Sequence, residues 1–162
     1  MINNYLSALE FEVTIQRIPN VEFFTQQINL PGVSSNPVET ENPFNRLVWK
    51  PEKLQYAPLE ISFIIDENMN NWMEIYRWMV GTTSPQNPKQ FRDLKESKDG
   101  TVSDISVLIL NNKKNANILF TYKDCFPFSL SPVNLDTKSP DVQHPKADVL
   151  FTYNYFTIKC II

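Results

Sequence analysis

Residues 58–81 read PLEISFIIDENMNNWMEIYRWMVG, and two periodicities meet within them. The first half alternates, which predicts a strand whose apolar face carries Leu59, Ile61, Phe63 and Ile65. From Asp66 the spacing becomes three and four residues, which predicts an amphipathic helix over residues 67–80. Its expected apolar side carries Met69, Trp72, Met73, Tyr76, Met79 and Val80. We expect Asp66 or Asn68 to cap this helix and Gly81 to end it.

The helix is rich in Trp, Met and Tyr, so it must cover an apolar surface. The other apolar segments of the chain alternate as strands do, and we therefore expect a single helix packed on a β core. Trp72 shares the predicted buried face, whereas Trp78 lies well around the helix from it. The pattern places Trp72 in the domain core and Trp78 near a rim or a neighbouring subunit.

Composition favours one folded domain over residues 1–162. Apolar residues make up 42% of the chain and charged residues 20%, which is enough for a core and argues against disorder. The net charge of −3 disfavours a surface that holds nucleic acid tightly, because such affinity comes from Lys and Arg neutralising phosphates. We expect neither a signal peptide nor a membrane span, and we expect Cys125 and Cys160 to be reduced.

Strand patterns occur along the rest of the chain. Residues 9–16 and 21–30 are predicted to pair as a hairpin around a turn at Pro19 and Asn20. Residues 105–110 and 118–123 form a second predicted hairpin, with asparagines supplying the positive-φ positions of the turn. A short edge strand is expected within 125–135, a helical turn near Phe91 to Lys95, and a last strand over 147–160. The fold class is mainly β: an antiparallel sandwich or barrel with one packed helix.

Residues 33–57 form a long polar segment that is broken by prolines. It still carries large apolar side chains, among them Phe44, Leu47 and Trp49. Long loops without structure of their own are uncommon inside a compact domain and are usually functional. We therefore interpret this segment as an extended loop that contacts other subunits, with the alternative that it folds back over its own domain.

The sequence predicts no catalytic, cofactor or metal site. Its three glycines are isolated, so phosphate-binding glycine motifs are absent. His144 is the sole histidine, and its spacing from Cys125 and Cys160 matches no zinc motif. Helix capping accounts for the adjacent Asp66 and Glu67. Aromatic residues near the C-terminus could stack on bases, but no basic groove accompanies them, and a packed core or interface is the favoured interpretation.

Several stretches resemble the tail tube proteins of contractile-tailed bacteriophages of the T-even kind. They are Leu-Pro-Gly at 30–32, Asn-Pro-Phe at 42–44, YAPLEISFIIDENMNNWMEIYRWMVG at 56–81, SDISVLILNNKKN at 103–115, DCFPFSLSPVNLD at 124–136 and ADVLFTYNYFTI at 147–158. The resemblance covers nearly the whole chain. Its most specific part is the strand, the Asp-Glu pair and the Trp-bearing helix.

The resemblance implies a structural protein of the virion that is assembled in the host cytoplasm. Six copies would form a ring whose inner sheets join into one β-barrel, and rings would stack into a tube that conducts the genome. The implied partners are other copies of the chain, the tail sheath, the baseplate and the tail terminator, with DNA passing without specific binding. Phe44, Leu47, Trp49 and Trp78 are the expected inter-subunit contacts.

Carboxylates on polar strand faces are the candidates for the channel lining: Glu10 and Glu12 first, then Glu60 and Asp148. The alternative is that they are ordinary solvated positions. Relatives that act as baseplate tube initiator or tail terminator would share the fold, and an appended domain would favour the initiator. A hypothesis from another class is a monomeric β-barrel that binds a small apolar ligand among its Phe and Tyr side chains.

Overall fold

The computed structural model describes residues 6, 9–41, 43–83, 85, 87–96, 100–136, 138 and 144–161. The strands are β1 (Phe11–Ile15), β2 (Thr25–Asn29), β3 (Val33–Ser35), β4 (Val38–Glu41), β5 (Arg46–Trp49), β6 (Leu54–Tyr56), β7 (Leu59–Ile64), β8 (Ser103–Leu110), β9 (Ala116–Leu130), β10 (Lys146–Thr152) and β11 (Tyr155–Cys160). The helices are α1 (Pro19–Phe24), α2 (Asn70–Thr83) and α3 (Pro88–Glu96). Among these described residues, no helix is long and apolar enough to cross a membrane.

Two antiparallel layers enclose the core. The first sheet has the order β1, β8, the first part of β9 and β11, and the second sheet has the order β2, β7, β10 and the last residues of β9. The 15-residue strand β9 belongs to both layers and connects them. No backbone pairing joins β1 to β2 in the described part of the chain, so the fold is an open, sandwich-like structure rather than a closed barrel.

The core follows the period-2 patterns of the sequence. Leu59, Ile61 and Phe63 of β7 are fully buried, and their neighbours on the strand are only partly covered. In β1, Val13 and Ile15 are buried, whereas Glu12 and Thr14 are exposed. The predicted mainly β, antiparallel fold class is confirmed.

Helix α2 begins shortly after β7 ends, and side-chain hydrogen bonds fix its first turn to the end of that strand. The Asp66 carboxylate accepts the N–H of Asn70 at 2.7 Å, which confirms one of the two predicted caps. Asn71 is completely buried; its amide donates to the carbonyl of Ile64 at 2.8 Å, and its Oδ1 accepts the N–H of Trp72 at 2.8 Å. The prediction that Gly81 ends the helix is wrong, because the helix continues to Thr83 with Gly81 buried inside it.

The predicted buried face of α2 is only partly correct: Met69, Trp72 and Met79 pack against the core as partly buried side chains, but Met73 and Tyr76 are exposed. The buried side of the helix carries Asn71, Ile75, Trp78 and Gly81. Trp78 is only 2% exposed, whereas Trp72 is partly buried and stacks on the exposed ring of Tyr76. Trp78 is therefore a core residue and not a rim residue, and a side chain this buried has almost no surface left for a neighbouring subunit.

Several predicted connections also differ. Three helices are described instead of one: residues 19–24 form α1 where a turn and a strand were expected, and the predicted helical turn is the longer α3. The hairpin between residues 9–16 and 21–30 is wrong, since β1 pairs with β8 and β2 pairs with β7. Residues 125–130 continue β9, and the expected last strand is divided into β10 and β11. The β8–β9 hairpin is confirmed, although Lys114, with φ of 60°, takes the positive-φ position instead of an asparagine.

Candidate assembly surfaces

Residues 33–57 form a projecting arm with strand structure of its own. Strand β3 pairs with β6 and, further out, β4 pairs with β5, so the prediction of a loop without regular structure is wrong. The described residues of the arm are exposed apart from Pro51. Phe44 is 90% exposed at the turn between β4 and β5, and Trp49 is 60% exposed. The arm does not fold back over its own domain, which leaves large apolar side chains in solvent.

The two faces of the β4–β5 hairpin differ in chemistry. Val38 lies opposite Trp49 and Thr40 opposite Leu47, so these four side chains share one mostly apolar face. The other face carries Glu39 opposite Val48, and the Glu39 carboxylate forms a salt bridge with Arg46 at the far end of the hairpin. The arm therefore presents one apolar side and one charged side.

The base of the arm is fixed to the domain. The N–H of Ala57 donates to the carbonyl of Gly32 at 3.0 Å, which closes the ribbon where it leaves the sheet. The hydroxyl of Tyr153 donates to the carbonyl of Ala57 at 2.9 Å, and Tyr56 packs edge-on against Phe156 with 5.6 Å between ring centroids. These contacts hold the base at the turn between β10 and β11, so the direction of the arm is set by the domain.

Two open apolar grooves lie on the domain. The arm-base groove has a volume of about 460 Å³, lies between β1 and β2, and is lined by Leu6, Glu10, Phe11, Ile28, Leu30 and Ile109 among others. The helix-start groove has a volume of about 720 Å³ and lies between the start of α2 and the segment before β10. Its apolar lining includes Phe24, Ile64, Ile65, Met69, Val133 and Leu135, and Asp66, Glu67 and His144 add polar groups.

The four candidate lining carboxylates lie on different surfaces. Glu12 is exposed on the outer face of the first sheet, and Glu10 lines the arm-base groove. Glu60 and Asp148 lie on the outer face of the second sheet, where Asn29 donates to Glu60 at 3.4 Å. Because the two sheets share one core between them, their outer faces point in opposite directions. At most one of the two sets can face a common channel.

Three titratable groups of the core, Tyr122, Cys125 and Tyr153, have raised pKa values. Burial raises the pKa of the Cys125 thiol to about 12 and that of the Tyr153 hydroxyl to about 12, and it also raises the pKa of Tyr122. A thiol with so high a pKa is a poor nucleophile at neutral pH. Within the described residues, no group of three or more His, Cys, Asp and Glu could hold a metal ion.

Sequence patterns did not indicate the grooves or the role of Asn71. A groove forms from segments distant in the chain, such as Phe24, Met69 and Leu135, and no local period links them. In the sequence, Asn71 looks like any other polar residue near the start of a helix. Its place in the first turn, five residues after Asp66, was the one hint that its side chain could bond to the end of the preceding strand. The exposed arm was detectable because its apolar residues occur between prolines.

The described residues form an open, sandwich-like β fold with an exposed apolar arm. Residues 3–159 match the family described as phage tail tube protein, and the chain belongs to that family. It is therefore a protein of the phage tail tube type, and a structural family of this kind indicates a non-enzymatic protein.

Individual relatives agree with this class. The chain is 30% identical over 89 residues to the tail tube terminator protein of Enterobacteria phage T4, and the match covers 51% of each chain. The chain thus spans about half the length of that curated relative.

Among solved structures, the tube-terminating cap of the anti-feeding prophage has a TM-score of 0.69 at 14% identity, covering 99% of this chain and 94% of that one. The sheath–tube complex of an extracellular contractile injection system has a TM-score of 0.64 at 13% identity, covering 99% and 95%. These two likenesses concern the fold.

Proposed function

We propose that this chain is the repeating subunit of a contractile phage tail tube. Six copies form a ring, and rings stack into a hollow tube that conducts the genome during ejection. The observation that carries this proposal is the arm: an ordered ribbon with Phe44 90% exposed and Trp49 60% exposed projects from a domain that already has a complete core. Large apolar side chains held in solvent indicate a surface that is covered after assembly.

Ring closure through the first sheet is supported by its strand order. Strands β1 and β11 lie at its two edges, and each pairs with one strand only in the described part of the chain. An unpaired edge invites further pairing, and cyclic association of copies satisfies both edges at once. In such a ring β1 of one copy lies beside β11 of the next, and the outer face of the first sheet lines the channel.

The charge of the chain fits a channel that lets DNA pass. The net charge is −3, and Glu12 lies on the outer face of the first sheet beside Thr14. Sixfold repetition makes even one such carboxylate a ring of negative charge, which the low-dielectric wall of a channel focuses. DNA would then pass through the tube without adhering to it.

The tail sheath, the baseplate and the terminator are the proposed partners of the tube, because the fold recurs in solved sheath–tube, baseplate and terminator assemblies. The protein would be located in the tail of the virion after assembly in the host cytoplasm. Binding of a small apolar ligand has less support: the rings of Tyr122, Tyr153 and Phe156 pack on one another, with 5.0 Å between the centroids of Tyr122 and Tyr153.

A second candidate is the terminator that closes the end of a tube. The observation in its favour is the 30% identity to the tail tube terminator of phage T4. A terminator needs to bind a tube at one end only, whereas a tube subunit must bind equivalent rings at both ends. The baseplate initiator is a third relative of this fold, and neither the strand order nor the arm favours it.

Negative-stain electron microscopy and mass photometry of the purified protein test these roles. We expect sixfold rings that stack into tubes as the protein concentration rises. Single rings that never stack would support the terminator. A protein that stays monomeric at high concentration under every salt condition would overturn the proposal of a ring-forming subunit.

A further inference from the structure

We infer that the arm of one copy docks in the helix-start groove of a second copy in the next ring, so that rings stack head to tail. This inference rests on the proposed function and specifies how its rings join. It assigns a receptor to the arm and a direction to the tube. Three observations carry it: the positions of the two surfaces, their apolar chemistry and their charges.

The arm and the groove lie at opposite ends of the same two strands. The arm enters the second sheet at Leu59, the first residue of β7, and its base is held by Tyr153, just after β10 ends. The groove is lined by Ile64 and Ile65 at the other end of β7 and by Pro145, just before β10 begins. A strand of this length spans about 20 Å, at 3.3–3.4 Å per residue. An arm at one end and a groove at the other make a heterologous contact. Since the proposed ring is already closed through β1 and β11, a second heterologous contact along the strands would extend a stack of rings.

Both surfaces are mostly apolar and open among the described residues. Phe44 is at the turn of the hairpin, and Trp49 and Leu47 share one face behind it. The floor of the groove is formed by half-buried or buried apolar side chains, while Leu135 at its edge is 82% exposed. Aromatic side chains that enter a pocket of this kind commonly dominate the energy of an interface. The approximate volume of 720 Å³ is large enough for more than one such side chain.

The charges beside the two surfaces are opposite. Lys50 and Lys53 follow Trp49 in the arm and are exposed, and the exposed Glu52 between them leaves this stretch with a net charge of +1 (two positive charges and one negative). Asp66 and Glu67 line the groove, and Glu67 is exposed. Opposite charges around an apolar contact favour the correct partner and disfavour a register in which like charges meet. The acidic side of the groove therefore selects an arm with basic residues just behind its aromatic anchors.

The arm-base groove is the competing receptor, and its position argues against it. Leu30, which lines that groove, lies two residues before the Gly32 carbonyl that closes the arm's base. The groove is thus at the same end of the domain as the arm. It could receive an arm only from a copy beside it in the same ring, and that arrangement would leave the helix-start groove uncovered.

Site-directed cross-linking distinguishes the two receptors. In a Cys160→Ser background, Asn45→Cys places a thiol at the tip of the arm without removing Phe44, and His144→Cys places one at the rim of the helix-start groove. The matched control combines Asn45→Cys with Leu6→Cys in the arm-base groove. After treatment of assembled protein with a short bismaleimide, we expect a ladder of linked copies from the first pair and unlinked chains from the control.

Electron microscopy of the same samples separates the possible failures. Rings or tubes that form without cross-links in the first pair overturn the arm-to-groove contact and leave the proposed function standing. Cross-links in the control pair overturn the arm-to-groove contact and indicate instead that the arm binds the arm-base groove of a copy in the same ring. A protein that forms no rings contradicts the proposed function itself.

A charge exchange provides an independent measurement. Glu67→Lys and Lys50→Glu should each raise the ring concentration needed for stacking by about tenfold, because six such contacts act together at each ring junction. The combination of both changes should restore stacking to within about threefold of the parent. Single variants that stack as the parent does, or a double variant that is no better than the singles, would show that these charges do not meet.

Discussion

The indole of Trp78 packs against the ring of Phe151 with 6.0 Å between the two centroids, which fixes α2 on the sheet core. Its Nε1–H donates to the carbonyl of Thr101 at 2.9 Å, and the guanidinium of Arg17 lies 5.0 Å from the centroid of the indole. Arg17 in turn donates to the carbonyl of Gly100. One side chain thus joins the helix, the second sheet and the segment that leads into β8.

Removal of this side chain should prevent stable folding. Trp78→Ala leaves a large cavity and an unpaired carbonyl at Thr101, and we expect a loss of about 3–5 kcal/mol in the free energy of unfolding. Trp72→Ala is the matched control on the same helix. Since Trp72 is only partly buried and packs at the edge of the core as well as on Tyr76, its loss should be smaller. Urea unfolding followed by circular dichroism measures both, and equal losses would contradict this account of the core.

The strands were predictable because their burial has the simple period of a pleated sheet. Every second residue of β7 and β8 is buried, and the sequence alternates in step with that burial. The buried face of α2 was not predictable from hydrophobicity, because two of its four residues are Asn71 and Gly81. Asn71 is buried since it satisfies the backbone at the end of β7, and a glycine lets the helix approach closely.

The partners of strands were predicted only where they are adjacent in the chain. The β8–β9 hairpin was correct, whereas β1 and β2 pair with distant strands because they belong to different sheets, with α1 between them in the chain. Pairing of distant strands depends on the whole core and leaves no local pattern. The same limit applies to the assembly surfaces: the arm is continuous in sequence and was found, but its proposed receptor joins residues from 24 to 145.

Alkaline pH should destabilise the protein through its buried phenol and thiol groups. Burial raises the pKa of Tyr122, and it raises that of Cys125 to about 12. In the unfolded chain these groups ionise near pH 10 and pH 8.5, respectively. Their raised native pKa values stabilise the fold fully below the unfolded values, and this stabilisation is lost as pH rises towards about 12. The free energy of unfolding should therefore fall from about pH 9 upward.

A pair of tyrosine variants tests the assignment. Tyr122→Phe should make the alkaline decline shallower, because the unfolded form of that variant has one fewer group to ionise. Tyr76→Phe, at an exposed position, should leave the slope unchanged. Urea titrations at a series of pH values give the slopes, and equal slopes for both variants would show that Tyr122 is not the group responsible.

The arm should be dispensable for folding and required for the stacking of rings. Phe44→Ala combined with Trp49→Ala removes exposed side chains, so the melting temperature should change little. Each truncation should weaken an interface by about 2 kcal/mol or more if these residues are its anchors. Mass photometry and negative stain should then show single rings that do not stack, under conditions where the parent forms tubes.

Val48→Ala is the control for that variant, because Val48 lies on the opposite face of the hairpin beside Glu39. We expect it to assemble as the parent does. An unfolded Phe44→Ala, Trp49→Ala protein would mean that the arm supports its own domain, and full assembly of that protein would mean that other surfaces carry the contact.

The lining of the channel can be tested by reversing one charge on each sheet. Glu12→Lys changes the outer face of the first sheet, and Glu60→Lys makes the same change on the second sheet. If the first sheet faces the lumen, Glu12→Lys converts a ring of six negative charges into six positive charges inside the tube, while Glu60→Lys adds them outside. Tubes of the first variant should bind short single-stranded DNA that can enter their open ends, and the affinity should fall steeply with salt.

Long double-stranded DNA that cannot readily thread the tube distinguishes the surfaces further: it should bind the Glu60→Lys tubes along their outside and the Glu12→Lys tubes weakly. Glu10→Lys, in the arm-base groove, should show neither pattern if it lies at the rim of the ring. The reverse result, with long DNA coating the Glu12→Lys tubes, would place the second sheet and its Glu60 and Asp148 in the channel.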